Sequence, residues 1–427
     1  MDQSIKPATN LHGKIAVPGD KSISHRALLL GAIAQGTSHI HNLSPGKDVM
    51  STRGCLAQLG ISIEDEASET IVKGGGLYGL RKPVQILDAG NSGTTVRLLS
   101  GILAAQPFAS VIDGDASLQR RPMARIIAPL REMGAHIEAE EGGTLPLHIH
   151  GGRLNPIDYF SPVASAQVKS CLLLAALYAD GETQIDEPGL SRNHTEIMLP
   201  IFGVDVKKRG RRVGISGQAA PHAADVDVPG DLSSAAFFIV AALLVSGSHL
   251  MLKDIGINPT RIGLLRVLES MGARVSFENQ RTICGEPRAD IYVRSSDLQG
   301  ASIGGDIIPE IIDELPILAI AATQAYGETV VRHAKELRVK ESDRIEAVAM
   351  NLRAMGAPVK AFEDGFVIRG PQRLRGATID SYHDHRIAMA FAIAGLLADG
   401  ETVIKSAECA EISYPGFFNT LHEMALQ

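Results

Sequence analysis

Apolar residues along this chain recur in two alternating patterns. Runs with helical spacing, such as RALLLGAIA (26–34), VRLLSGILA (96–104), VKSCLLLAALY (168–178) and RIAMAFAIAGLLA (386–398), predict helices. A glycine closes each run, and a β-branched stretch such as GETVVRH (327–333) then predicts a strand. In most repeats a second, amphipathic helix follows, as in RIEAVAMNLRAMGA (344–357), and stops at a glycine of its own.

These patterns keep one phase. The ending MGA stands at Gly134, Gly272 and Gly356, with the related LGI at Gly60 and FGV at Gly203, a period of about seventy residues. A second marker, ADGET, occurs at 179–183 and 398–402, with AYGET at 325–329 and SGSH at 246–249. Aligning on both gives six mixed α/β repeats, beginning near Ser24, Thr94, Ser165, Ser233, Asp313 and Asp384. Each opening residue reads as a helix N-cap. The turn VPGD is written twice, at 17–20 and 228–231, before the first and fourth repeats. Two domains follow: residues 1–19 plus 232–427 carry repeats four to six, and 20–231 carry repeats one to three. Hinges are expected near 19–21 and 229–232.

Composition narrows the partners. The chain has 427 residues, 45% of them apolar, enough for substantial cores in two or three domains. A net charge of −7, no Trp and 4% aromatic residues leave neither a basic face nor stacking platforms for nucleic acid. No apolar run is long enough to span a bilayer and the opening MDQSIKPATN lacks a secretory pattern, so a cytoplasmic location is expected, with no membrane partner. Cys55, Cys171, Cys284 and Cys409 stand far apart with no CxxC pair, which reads as four buried thiols.

The polar exceptions gather at the starts of the repeat helices: DKSISHR (20–26), AGNSGTT (89–95), SAQVKS (165–170), IDELP (312–316) and DHR (384–386). Helix N-termini present unsatisfied N–H groups, and several aimed at one cleft make an anion site. Lys21, Arg26 and Arg386 add charge there. RRPMAR fixes Arg121 before a proline, ELRVKESDR places Lys340, Glu341 and Arg344 together, and LSRNHTE offers Ser191 and Arg192. Taken singly, each stretch also reads as a plain cap or a solvated ion-pair ladder.

In this order, PGDKSISHR, GNSGTT, RPM, SAQVKS, IDELP, ELRVKESDR and DHRIAM resemble the EPSP synthase family, from about residue 10 to 420. The resemblance implies an inside-out α/β barrel fold: two domains of three βαβαββ-like repeats, closing over two anionic substrates. It implies transfer of the carboxyvinyl group of phosphoenolpyruvate to the 5-hydroxyl of shikimate 3-phosphate, on the route to aromatic amino acids, with inhibition by glyphosate. Carried over position by position, Lys21, Ser22, Arg26, Ser165, Gln167, Arg192, Asp313 and Lys340 contact shikimate 3-phosphate. Lys21, Gly93, Arg121, Gln167, Arg344 and Arg386 surround phosphoenolpyruvate. No cofactor and no metal is implied, and a monomer is expected. Three positions depart from many relatives: Ala166 follows Ser165 where a second serine is common, Glu336 replaces a frequent Asn, and Ile412 replaces a lysine. His194 stands where the enteric type has Tyr.

Addition followed by elimination needs an acid and a base. Asp313, Glu341 and Lys21 are the candidates: Asp313 for the attacking hydroxyl, Glu341 for proton traffic at the methylene, and Lys21 for either. Gly93 reads as a close backbone approach to the smaller substrate. The alternatives are an enolpyruvyl transferase of the UDP-N-acetylglucosamine type, disfavoured because the loop GDASLQRRPM lacks that family's cysteine, and a non-catalytic six-repeat scaffold. A metal hydrolase built on HIH (39–41 or 148–150) or HDH (383–385) is set aside, since strand alternation explains the first two.

Overall fold

A computed structural model describes residues 1–425. The chain divides into two compact units. The terminal unit holds Met1–Pro18, Pro229–Thr282 and the chain from Pro287 onward; the inserted unit holds Gly19–Val228 and the short piece Ile283–Glu286. Both long crossings fall inside the two VPGD copies. The third piece, the tip of the hairpin formed by Arg274–Ile283 and Glu286–Arg294, has no counterpart in the sequence pattern.

Each unit is built around three repeat helices: Lys21–Ile33, Gly93–Leu103 and Ala166–Ala176 in the inserted unit, Leu232–Leu244, Leu315–Gln324 and His385–Leu397 in the terminal unit. Beyond their polar first turns they are largely apolar on all sides and therefore interior. Every residue of Leu232–Leu244 except Leu244, and of His385–Leu397 except Leu397, is buried. Small residues let these helices approach closely. A Cβ on Gly101 would lie 2.2 Å from the carbonyl oxygen of Cys171 on the neighbouring helix, so only glycine fits there.

Three sheets cover the helices of each unit. In the inserted unit the strand orders are Leu87–Asp88, Ala109–Asp113, Thr144–His150, His136–Glu140; then Asp158–Phe160, Glu182–Asp186, Arg212–Ser216, Val206–Arg209; then Asp225–Asp227, Gln35–His41, Glu69–Gly75, Ser62–Glu66. In each, the first pair is parallel and the rest antiparallel. The terminal unit has two four-stranded sheets of the same kind and a three-stranded one that joins the chain start, Gln3–Ile5, to Thr402–Lys405.

The doubled VPGD is explained by strand exchange. A parallel pair normally brackets its own helix, as Leu87–Asp88 and Ala109–Asp113 bracket Gly93–Leu103. At the crossings the strand stays behind. His12–Ile15 pairs with His249–Gly256 in the terminal unit, although the next helix, Lys21–Ile33, belongs to the inserted unit; Asp225–Asp227 pairs with Gln35–His41, although the next helix, Leu232–Leu244, belongs to the terminal unit.

The repeat phase is seen in the backbone. The glycines that stop the second helices lie in the left-handed region, φ +93° at Gly134 and +84° at Gly356, as a C-terminal cap demands. Helix starts differ from the sequence expectation at four of six repeats. Asp20, Ser92, Asp231 and Glu314 occupy the cap positions, rather than Ser24, Thr94, Ser233 and Asp313; Ser165 and Asp384 cap as expected. Asp20 accepts from the Ile23 N–H at 2.9 Å, whereas Ser24 lies inside the helix and accepts from the Ser44 N–H. Asp20, Ser92 and Asp231 win because their side-chain oxygens reach orphan amides of the first turn, whereas Glu314 makes no such bond. Cys55, Cys171 and Cys409 are buried, and burial raises each thiol well above its ordinary value, to about 12 for Cys55 and Cys409. Cys284 corrects the sequence reading: it is only half-buried, at the hairpin tip. Among the described residues no helix is long and apolar enough to cross a membrane.

Candidate active site

In the inserted unit the starts of the three repeat helices are tied into a ring of polar side chains. Arg26, on the first helix, donates from Nε to Thr195 Oγ1 at 2.6 Å, from Nη1 to the Ser22 carbonyl at 2.9 Å, and from Nη2 to Ser170 Oγ on the third at 2.6 Å. Gln167, on the third, donates to Thr94 Oγ1 at 3.0 Å and accepts from Arg97 at 2.9 Å, both on the second. His25 Nδ1 meets Thr52 Oγ1 at 2.7 Å, and Thr52 meets Thr95 Oγ1 at 2.7 Å, which closes the ring from first helix to second. Burial pushes His25 well below its usual range, with Lys21 and Arg26 adding to the effect, so this imidazole is neutral.

The cations stand on this ring. Lys21 Nζ is 2.8 Å from Asp48 Oδ2. Arg121 donates from Nη2 to Asn91 Oδ1 at 2.8 Å, one residue before the Ser92 cap. Desolvation lowers Arg26 to about 10, still protonated at neutral pH; Asp20 works against that shift and Arg192 adds to it, which places the Arg192 charge close by. Ser165 caps its helix through Val168 N–H, while its own N–H donates to Glu187 Oε1 at 2.9 Å. Glu187 Oε2 also accepts from Ser191 Oγ at 2.9 Å and from Lys169 at 2.6 Å. The departures have local accounts. Ala166 removes a hydroxyl at this end, and His194 is buried against Glu286, Nδ1 to Oε1 2.6 Å.

The terminal unit has a second cationic end. Arg344 is completely buried; Nε and Nη2 reach Asp384 at 2.8 and 3.2 Å, and Nη2 reaches Glu341 at 2.7 Å. Desolvation opposes its charge, but Asp384, Glu341 and Asp313 outweigh that and hold the guanidinium more firmly protonated than usual. Asp313 Oδ1 faces Lys340 at 3.6 Å and Arg344 at 3.5 Å, and its Oδ2 faces Arg386 at 3.9 Å. Arg386 Nη1 donates to the Asp313 carbonyl at 3.0 Å. Behind it, Glu314 accepts from Ser233, which with Asp231 is held by Arg261. Glu336 lies 4.0 Å from Lys340, one helical turn away, and Ile412 packs half-buried against the apolar core.

The thirteen residues singled out from sequence thus fall into two groups. Lys21, Ser22, Arg26, Gly93, Arg121, Ser165, Gln167 and Arg192 belong to the inserted unit, and Asp313, Lys340, Glu341, Arg344 and Arg386 to the terminal unit. Gly93 also has a close neighbour within the protein. A Cβ there would come within 2.7 Å of Arg97 Nη1, so the space beside it is filled by a buried guanidinium of the protein itself. Arg97, Asp48, Thr52 and Glu187, which contact Gln167, Lys21, His25 and Ser165, were not singled out from the sequence. The one available signal was Arg97, a lone cation in an otherwise apolar run, one turn after Gly93.

Known proteins resemble this chain over nearly its whole length. The 3-phosphoshikimate 1-carboxyvinyltransferases of Bacillus thuringiensis subsp. konkukian and Bacillus anthracis are 51% and 50% identical over 426 residues, 99% of both chains in each case. The structure of EPSP synthase from Acinetobacter baumannii superposes with a TM-score of 0.88 at 46% identity, covering 99% of this chain and 98% of that one. Residues 5–421 match the family described as EPSP synthase (3-phosphoshikimate 1-carboxyvinyltransferase), and the chain belongs to that family.

Proposed function

We propose that this chain transfers the enolpyruvyl group of phosphoenolpyruvate to the 5-hydroxyl of shikimate 3-phosphate, with release of inorganic phosphate. The two substrates bring about five negative charges together near neutral pH. Lys21, Arg26, Arg121 and Arg192 on one unit and Lys340, Arg344 and Arg386 on the other supply the compensating charge, so the reaction needs no metal. Arg26, Arg192, Ser165 and the amide ends of the inserted unit's helices suit the shikimate phosphate. Arg121, Arg344 and Arg386 suit phosphoenolpyruvate.

The 5-hydroxyl oxygen attacks C2 of phosphoenolpyruvate while C3 gains a proton. The carbon–oxygen bond to phosphate then breaks, and C3 returns the proton. Asp313 takes the hydroxyl proton, and Glu341, held by Arg344, serves C3; Lys21 is the remaining candidate for either transfer. The observation that carries this reading is the convergence of Lys340, Arg344 and Arg386 on Asp313. The three cations lie 3.5–3.9 Å from its oxygens, close enough to hold it ionised beside a substrate hydroxyl. The VPGD crossings act as hinges through which the units close on shikimate 3-phosphate. A monomer suffices for this.

A phosphate-release assay tests the reading. Release is expected only with both substrates present, unaffected by a chelator, and slowed roughly a hundredfold or more in Glu341→Gln. Absence of release with both substrates refutes the reaction; unchanged turnover in Glu341→Gln removes that residue from it.

A further inference from the structure

One exposed sheet face of the inserted unit carries three histidines and a glutamate. His136 and His150 are directly opposite partners in the antiparallel pair His136–Glu140 and Thr144–His150, and Glu138 is opposite His148. Alternation along both strands turns these four outward while Ile137, Leu147 and Ile149 enter the core. The His136 and His150 rings stack with centroids 4.5 Å apart, and their Nε2 atoms lie 3.6 and 3.4 Å from the same oxygen, Glu138 Oε1. All three side chains offer ligand atoms within 4.8 Å of one another.

Those separations are too long for hydrogen bonds. They match the edge of a coordination tetrahedron: with metal–ligand bonds of about 2.0–2.1 Å, neighbouring ligand atoms lie roughly 3.4 Å apart. We propose that His136, Glu138 and His150 form a surface site for a borderline divalent transition-metal ion such as Zn²⁺, Ni²⁺ or Cu²⁺. His148 is the candidate fourth ligand, because directly opposed side chains have Cβ atoms about 5 Å apart. Two imidazoles and one carboxylate favour these ions over Mg²⁺ or Ca²⁺, which call for oxygen ligands. Paired strands fix the ligands, so binding orders little chain. None of these residues belongs to the helix-start ring of the inserted unit, and metal held here takes no part in the transfer reaction.

The test is calorimetric titration of ZnCl₂ into the full, untagged chain in a non-chelating buffer. One ion per chain is expected, with affinity falling roughly tenfold or more in His150→Ala and in Glu138→Gln, and unchanged in His39→Ala, which alters a different sheet. All three positions are exposed or half-exposed, and unchanged phosphate release would show that the variants remain folded. Absence of a one-to-one event in the parent, or parental affinity in His150→Ala, overturns the proposal.

Discussion

Single residues in this protein are set by what lies one contact away. Gly93 shows the limit of sequence reading: glycine at a helix start was legible, but its contact with Arg97, which reaches the same point from a turn later, was not. Gly93→Ala should push Arg97 off Gln167, and so raise KM for phosphoenolpyruvate and weaken glyphosate inhibition together. Equal glyphosate inhibition of variant and parent would contradict this. His25 supplies a pH dependence. Its folded form resists protonation while the unfolded chain protonates near 6.5, so below that pH the unfolded state binds more protons and folding weakens. The expected loss is about 1.4 kcal/mol per pH unit until the folded imidazole itself titrates. Urea unfolding at a series of pH values should show this slope in the parent, and less of it in His25→Asn; identical slopes would contradict the assignment.

At the scale of elements, the repeat helices were the most legible part, since long apolar runs ending at phased glycines leave few other readings. Their first residues were less legible. A small polar residue inside the first turn and the true cap before it look alike in one dimension, and only the hydrogen bonds of Asp20 and Asp231 tell them apart. Lys169 lies within SAQVKS, yet its role is not readable there, because its partners Glu187 and Glu196 lie in another segment. It is a buried cation between two buried carboxylates, and Glu187 in turn holds the Ser165 amide and Ser191. Lys169→Met strands those carboxylates and should lower unfolding free energy by about 3–5 kcal/mol. KM for shikimate 3-phosphate should rise with it. An unchanged urea midpoint would show that the network contributes nothing.

For the whole molecule, a repeated four-residue turn held much of the architecture, because a strand that stays in one unit while its helix enters the other requires the same exit twice. The hairpin tip at Ile283–Glu286 left no such trace: a single short excursion has no partner copy to compare with. The proposed transfer requires the cationic ends of both units to act on the same substrates. Titrating shikimate 3-phosphate into the parent, Arg26→Ala from the inserted unit and Lys340→Ala from the terminal unit measures this. Each substitution, taken alone, should weaken binding by tenfold or more, about 1.4 kcal/mol. Parental affinity in either variant would mean that one unit binds the ligand without the other.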